Sequence, residues 1–224
     1  MSLLLDPRSV ARFEAGPGLN WPNKMGRMLL LALEDVMSRN GVNAVLALAQ
    51  LEHRVNHYPP DNLEPGFGFA ELSTIMQCIE EMYGPHGGRS LALRAGRAGF
   101  KYALREFGTL LGLDDLAFRL LPLELRLWMA LNAMADVFNQ YSDQRVEVSK
   151  QGPYIEYRIE RCPVCWGRHA TGPCCYAATG LLQETATWVG RGASCDVREV
   201  ACIAAGAPAC TFLVGPYLEV QAGL

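Results

Sequence analysis

Apolar positions along this chain follow two different rhythms. From Asn23 to Ser38 they recur at helical spacing, and Asn40-Gly41 supplies a stop signal. A second short helix is expected over about Val42 to Leu51. His53 to Pro65 is rich in proline, asparagine and aspartate and reads as a loop. Helical periodicity returns over Phe69 to Tyr83 and stops at Gly84-Pro85-His86-Gly87-Gly88. Arg89 to Gly108 is a further helix, with Ala92, Ala95 and Ala98 on one side, and small residues at that spacing let helices approach closely. Pro122 suits the first turn of a helix running to about Tyr141, whose apolar face holds Leu125, Leu127, Trp128, Leu131, Met134 and Val137. The first 140 residues or so are thus mostly helical.

The period then shortens to two. Val146 and Val148, then Tyr154, Ile155, Tyr157 and Ile159, mark two short strands around a Gln151-Gly152-Pro153 turn, which predicts a hairpin. A loop with Cys162, Pro163, Cys165 and Gly172-Pro173 leads to a helix from about Cys175 to Val189, ended by Gly190-Arg191-Gly192. Two last strands, about Cys195 to Ala204 and Ala209 to Val214, flank a Gly206-Ala207-Pro208 turn. The expected fold class is α+β, with a helical N-terminal two thirds packed on a small, mainly antiparallel C-terminal sheet. We expect one domain over 1–224, made of a mainly helical part, 1–142, and a part with sheet, helix and cysteines, 143–216.

Half of the 224 residues are hydrophobic, enough for a substantial core. A net charge of -3 gives no electrostatic reason to expect nucleic acid as a partner. The start, MSLLLDPRSVARFEAG, lacks the basic opening and continuous apolar centre of a signal peptide, so a cytoplasmic protein is expected. Met25 to Met37 is broken by Arg27, Glu34 and Asp35 and falls short of the roughly 20 apolar residues of a spanning helix, so no membrane span is expected.

The eight cysteines change the picture, because Cys78 stands alone while residues 162, 165, 174, 175, 195, 202 and 210 crowd the last third. In a reducing compartment such a cluster points to metal rather than disulfides. Zinc is held by soft thiolates with an occasional carboxylate, and EVACIAAGAPAC offers both in a compact form. Glu199 and Cys202 are three apart, so on a regular strand they face opposite ways unless a bulge intervenes; the hairpin turn brings Cys210 back beside Cys202. The residues alone leave two readings: a metal site using some of these cysteines, or buried inert thiols.

The succession Cys175, GLLQETATWVG, then VREVACIAAGAPACTFLV resembles the 4-vinyl-reductase (hydrocarbon-binding) domain family, over about Cys174 to Val214. That family is related to the sensory domains of phenol-sensing regulators and to subunits of vesicle-transport tethering particles. The resemblance implies zinc on Cys175, Glu199, Cys202 and Cys210, with Cys174 as the alternative to its neighbour. Four protein ligands leave no open position, which makes such an ion structural. Cys162-Pro-Val-Cys165 lies outside that pattern. It reads as a second half-site, a redox pair, alternative ligands to the same ion or a cysteine pair without such a role, and His169 is a further candidate ligand.

The resemblance also implies a pocket for an apolar or aromatic small molecule. Phe100, Phe107, Trp128 and Trp188 are the candidate pocket residues, and Tyr102, Phe118, Met129 and Phe138 add apolar surface. The expected function is a binding or sensory domain for a hydrocarbon or tetrapyrrole-like molecule, with a structural zinc site. One alternative is a vinyl reductase or substrate carrier in bacteriochlorophyll synthesis. That enzyme would need a separate electron donor, because no G-x-G-x-x-G follows a strand, and no catalytic residue is assigned. The other is a homodimeric scaffold or tethering module, with the Asn23–Ser38 helix as its interface.

Overall fold

In the computed structural model, residues 18–108 and 116–217 are described. The elements run β1 (Asn20–Pro22), α1 (Asn23–Leu48), β2 (Pro65–Gly68), α2 (Phe69–Phe107), α3 (Leu116–Leu120), α4 (Leu123–Tyr141), β3 (Val146–Gln151), β4 (Tyr154–Ile159), α5 (Tyr176–Val189), β5 (Cys195–Ala201) and β6 (Cys210–Tyr217). This is the α+β arrangement expected: helices first, then an antiparallel sheet of order β3-β4-β6-β5.

Two stop signals act as bends instead. Ser38 (φ 67, ψ 165) kinks α1, and the two helices expected on either side of it run into one another. Both halves bury apolar faces, with Leu30 and Leu33 before the kink and Val45 and Leu46 after it, so continuing the helix keeps both in the core. Gly84 (φ 71, ψ 169) does the same in α2, and Pro85 follows it in the first turn of the second half, where a missing N–H loses no helical bond.

The loop before α2 contains a short 3-10 turn, Glu52–Arg54, and its end is a strand. β2 pairs antiparallel with β1, which sets Trp21 against Phe67. Phe67 is fully buried on α1 because Gly26 has no side chain there; a Cβ would stand 2.3 Å from the ring.

In the main sheet, Ile155, Tyr157 and Ile159 of β4 and Cys210, Phe212 and Val214 of β6 bury the same face, paired Tyr157 to Phe212 and Ile159 to Cys210. α5 packs on β5 and β6, and α2 packs on α5. The helix crossing is close because two glycines meet there: a Cβ at Gly96 would lie 2.0 Å from the Ala177 carbonyl oxygen, and one at Gly180 2.1 Å from that of Leu93. The small-residue side of α2 read from the sequence is this contact, with Ala92 and Ala95 buried beside Gly96. One apolar core runs from Leu30 and Leu33 on α1 through Ile75 on α2 to Phe212 on β6. Among the described residues, no helix is long and apolar enough to cross a membrane.

Candidate metal centre and cavity

Local structure gathers the cysteines. Cys175 is the cap of α5, and Cys210 opens β6. β5 carries an irregularity between Glu199 and Ala201 and ends there, which lets Glu199 and Cys202 reach one place despite their odd spacing. Cys175, Glu199, Cys202 and Cys210 consequently present ligand atoms within 4.8 Å of one another. The Cys175 sulfur lies 3.6 Å from that of Cys210 and 3.8 Å from that of Cys202, and the Cys202–Cys210 pair is at 3.9 Å. Thiolates about 2.3 Å from one tetrahedral zinc stand roughly 3.8 Å apart, so the spacing suits a metal. Four buried cysteines, Cys162, Cys165, Cys175 and Cys210, form a second such set, with Cys162 3.6 Å from Cys175 and Cys165 3.4 Å from Cys210.

Of the remaining candidates, Cys174 approaches Cys202 at 3.8 Å but belongs to neither set. Its neighbour Cys175 reaches both Cys202 and Cys210. His169 is exposed and in neither set. The convergence of Cys162 and Cys165 on Cys175 and Cys210 could not be read from spacing, because the loop that carries them has no periodicity.

The electrostatics of this nest call for a cation. Glu199 accepts the Cys175 N–H at 2.8 Å through Oε2, while its Oε1 is buried with no partner among the described residues. Burial first, then the neighbouring Cys202 sulfur, pushes the carboxyl up to about 8. Hydrogen bonds from the thiols of Cys165, then Cys174, Cys175 and Cys210, draw Cys202 well below the ordinary thiol range. The Ile203 N–H points at the Cys210 sulfur, 3.3 Å away. Beside the cluster, Arg168 pairs with Glu80 at 2.8 Å and leaves Nη1 buried and, among the described residues, unpaired. A bound metal would satisfy the orphan oxygen and compensate the thiolates, so the residues fit such an ion.

Next to the cluster lies a cavity of about 140 Å³ between α1, α2, α4, α5 and the sheet. Phe100, Phe107 and Trp188 line it, together with Trp21 and Phe138. Trp128 does not: on α4 the wall is formed by Ala130, Met134, Val137 and Phe138, and a position two residues before Ala130 lies about 200° around the helix. Its ring sits instead under the Lys150 ammonium, 5.5 Å from the centroid. Tyr102 turns its hydroxyl to Asp35 at 3.0 Å, and Met129 is exposed; neither is in the wall.

Among the described residues, no charged side chain lines the cavity. Of its polar groups, Gln144 accepts the Trp21 indole N–H at 3.1 Å and Thr185 donates to the Leu181 carbonyl at 2.8 Å. Tyr157, also in the wall, has a buried hydroxyl without a partner among the described residues. Cavity and cluster share a loop. Pro163 and Val164 form part of the wall, while Cys162 and Cys165 on either side of them join the sulfur cluster.

The family model of the 4-vinyl-reductase domain matches residues 155–216, which shows the family read from the cysteine pattern over the sheet and its helix. No curated protein sequence matches the chain. Among solved structures, the fold is similar to an H-NOX protein from S. oneidensis in the Fe(II)NO ligation state, at 14% identity, covering 84% of this chain and 97% of that one, with a TM-score of 0.55. It is also similar to the Fe(II) unliganded H-NOX protein from K. algicida, at 13% identity, covering 90% and 100%, with a TM-score of 0.59. A third H-NOX structure, at 13% identity and a TM-score of 0.57 over 90% and 100% of the two chains, comes from a study of heme distortion. At these identities the likeness is one of fold. The cavity here does not suit haem. Its wall, among the described residues, holds no histidine and no cysteine, and its volume of about 140 Å³ is close to that of a cavity known to hold a single benzene ring.

Proposed function

We propose that this chain is a binding or sensory module that takes a small apolar or aromatic molecule into the cavity beside its cysteine cluster, with a structural zinc ion at the cluster. The observation that carries the reading is the uncharged, aromatic-lined cavity of about 140 Å³ whose wall includes the loop between Cys162 and Cys165. Such a space favours one aromatic ring or a short hydrocarbon over a tetrapyrrole, which needs several times the volume. Tyr157 supplies a hydroxyl for a ligand that carries one polar atom.

Zinc is assigned to Cys175, Glu199, Cys202 and Cys210. This full protein ligand set gives the ion a structural role, in which it ties α5 to the end of the β5–β6 pair. The described chain reads as one folding unit, since a single core joins α1 to β6. A homodimer belongs to the same proposal. Because α1 buries Leu30 and Leu33 in its own chain, a second copy has to meet another part of that helix or another surface.

Thermal unfolding of the metal-loaded protein with benzene, toluene and phenol tests the cavity. A ligand at about 100 times its Kd should add about 2.7 kcal/mol of stability by mass action. Ala103→Leu, which fills the wall beside Phe107, should abolish the shift. No shift with any of the three overturns the binding reading. Zinc content by plasma mass spectrometry, expected in the wild type and lost in Cys202→Ala and Cys210→Ala, tests the metal independently.

A further inference from the structure

The cluster contains more donors than one ion can use. Two tetrahedral sets overlap there, Cys162, Cys165, Cys175 and Cys210 on one side and Cys175, Glu199, Cys202 and Cys210 on the other, and they share Cys175 and Cys210. We propose that the centre holds two divalent metal ions bridged by the Cys175 and Cys210 thiolates, with Cys162 and Cys165 completing one tetrahedron and Glu199 and Cys202 the other. The inference rests on the metal reading given above and extends it from one ion to two.

Each half has its own support. On the Glu199 side, a buried carboxylate oxygen lacks any partner among the described residues, and burial without one is costly unless a cation or donor stands opposite. On the other side, Cys162 and Cys165 are fully buried, and their sulfurs stand 3.6 and 3.4 Å from those of Cys175 and Cys210, the close spacing of ligands to a common ion. An ion that accepts four ligands cannot serve both sides. The shared sulfurs are 3.6 Å apart, a separation that lets two ions sit on either side of them, and a thiolate has lone pairs enough to bridge.

Charge points the same way. Five thiolates and one carboxylate carry six negative charges, so one divalent ion would leave four of them uncompensated in a buried place and two ions would leave two. Arg168, with its unpaired buried Nη1, stands next to this loop, its N–H bonded to the Cys165 carbonyl at 3.0 Å. The second ion would also have a structural role, because the loop it fixes puts Pro163 and Val164 in the cavity wall.

The test is metal stoichiometry of the full chain, zinc-loaded, with cadmium-113 NMR of the cadmium-substituted protein. Two ions per chain are expected, falling to one in Cys162→Ser, Cys165→Ser and Cys202→Ser. The NMR spectrum should show two cadmium resonances split by coupling through the shared thiolates. This spectrum is taken on the wild type, so it stands even where a variant fails to fold. Cys162→His, which replaces sulfur by a nitrogen ligand, should recover the second ion. A single ion, lost in Cys202→Ser and kept in Cys162→Ser and Cys165→Ser, overturns the second ion while leaving the one-zinc reading intact. A single ion with the opposite dependence overturns the Glu199 half, and absence of metal overturns both readings. Iron with acid-labile sulfide overturns the thiolate-bridged pair.

Discussion

Gly180→Ala should force α5 away from α2. The added Cβ would stand 2.1 Å from the Leu93 carbonyl oxygen and 2.9 Å from its carbonyl carbon, backbone atoms that cannot rotate aside. The two helices must part by about 1 Å before the contact is tolerable, and a packed interior transmits that displacement. Overpacking costs about 1–3 kcal/mol, and a clash with backbone belongs at the upper end. For a chain of this size about 3 kcal/mol lowers Tm by roughly 6–12 °C.

The displacement has a second consequence. α5 starts at the Cys175 cap and carries Leu182 and Trp188 of the cavity wall, so the variant should also bind its metal and any cavity ligand less tightly. Gly96→Ala meets the same interface from the other side, 2.0 Å from the Ala177 oxygen. Once one alanine has parted the helices the other finds room, so the double variant should lose clearly less than the sum of the singles. Thermal unfolding of the four proteins checks this. A Gly180→Ala protein melting within about 2 °C of wild type, or strict additivity, would refute the close crossing.

Other outcomes follow from single groups. Tyr157→Phe removes a buried hydroxyl that has no partner among the described residues, so ligand-free stability should hold or rise, while the stabilisation given by phenol should fall relative to that given by toluene in the same melting assay. In chelator-treated protein the Glu199 carboxyl, raised from 4.5 to about 8, has its folded value above its unfolded one; its contribution is present below about 4.5 and lost as pH rises through about 8. Denaturant unfolding of the metal-free protein against pH should therefore fall across that window, and Glu199→Gln should flatten the slope. Burial, then the charge of Glu81, pushes the Cys78 thiol up to about 11, so this cysteine should stay unreactive to an aromatic disulfide reagent at a pH of about 8 until the protein unfolds. The clustered cysteines should react as soon as a chelator removes their metal. Ser38→Gly relieves a serine at φ 67, ψ 165, a region that suits glycine, and a rise in Tm is expected.

The sequence carried the helix periods, the hairpin and the cysteine grouping well, because each rests on local spacing. What it hid depends on phase or on chain return. Strict alternation puts Glu199 and Cys202 on opposite faces, and only the irregularity after Glu199 sets them together. The apolar face of α4 was legible, yet Trp128 and Ala130 both read as apolar helix positions, and tertiary packing decides which looks into the cavity. β1 and β2, three and four residues long, are too short to show a period and gain their strand character from pairing with each other.

The cavity was the least legible feature, and the reason is physical. A void is marked by what its neighbours lack. Ala95, Gly96, Gly99 and Ala103 on α2 and Ala177 and Ala178 on α5 all border it, and in the sequence such residues signal close helix packing. Both readings hold at different heights of one stripe. Where Gly96 and Gly180 face the opposing backbone, the missing side chains bring the helices into contact; around Gly99 and Ala103 the stripe faces Phe107, Trp188 and the sheet, and the missing volume stays open. The crossing thus sets the width of the cavity beside it, and the loop from Cys162 to Cys165 closes its other side. Metal, helix crossing and ligand space are therefore mechanically linked, which is what a module that reports ligand binding through its own stability requires.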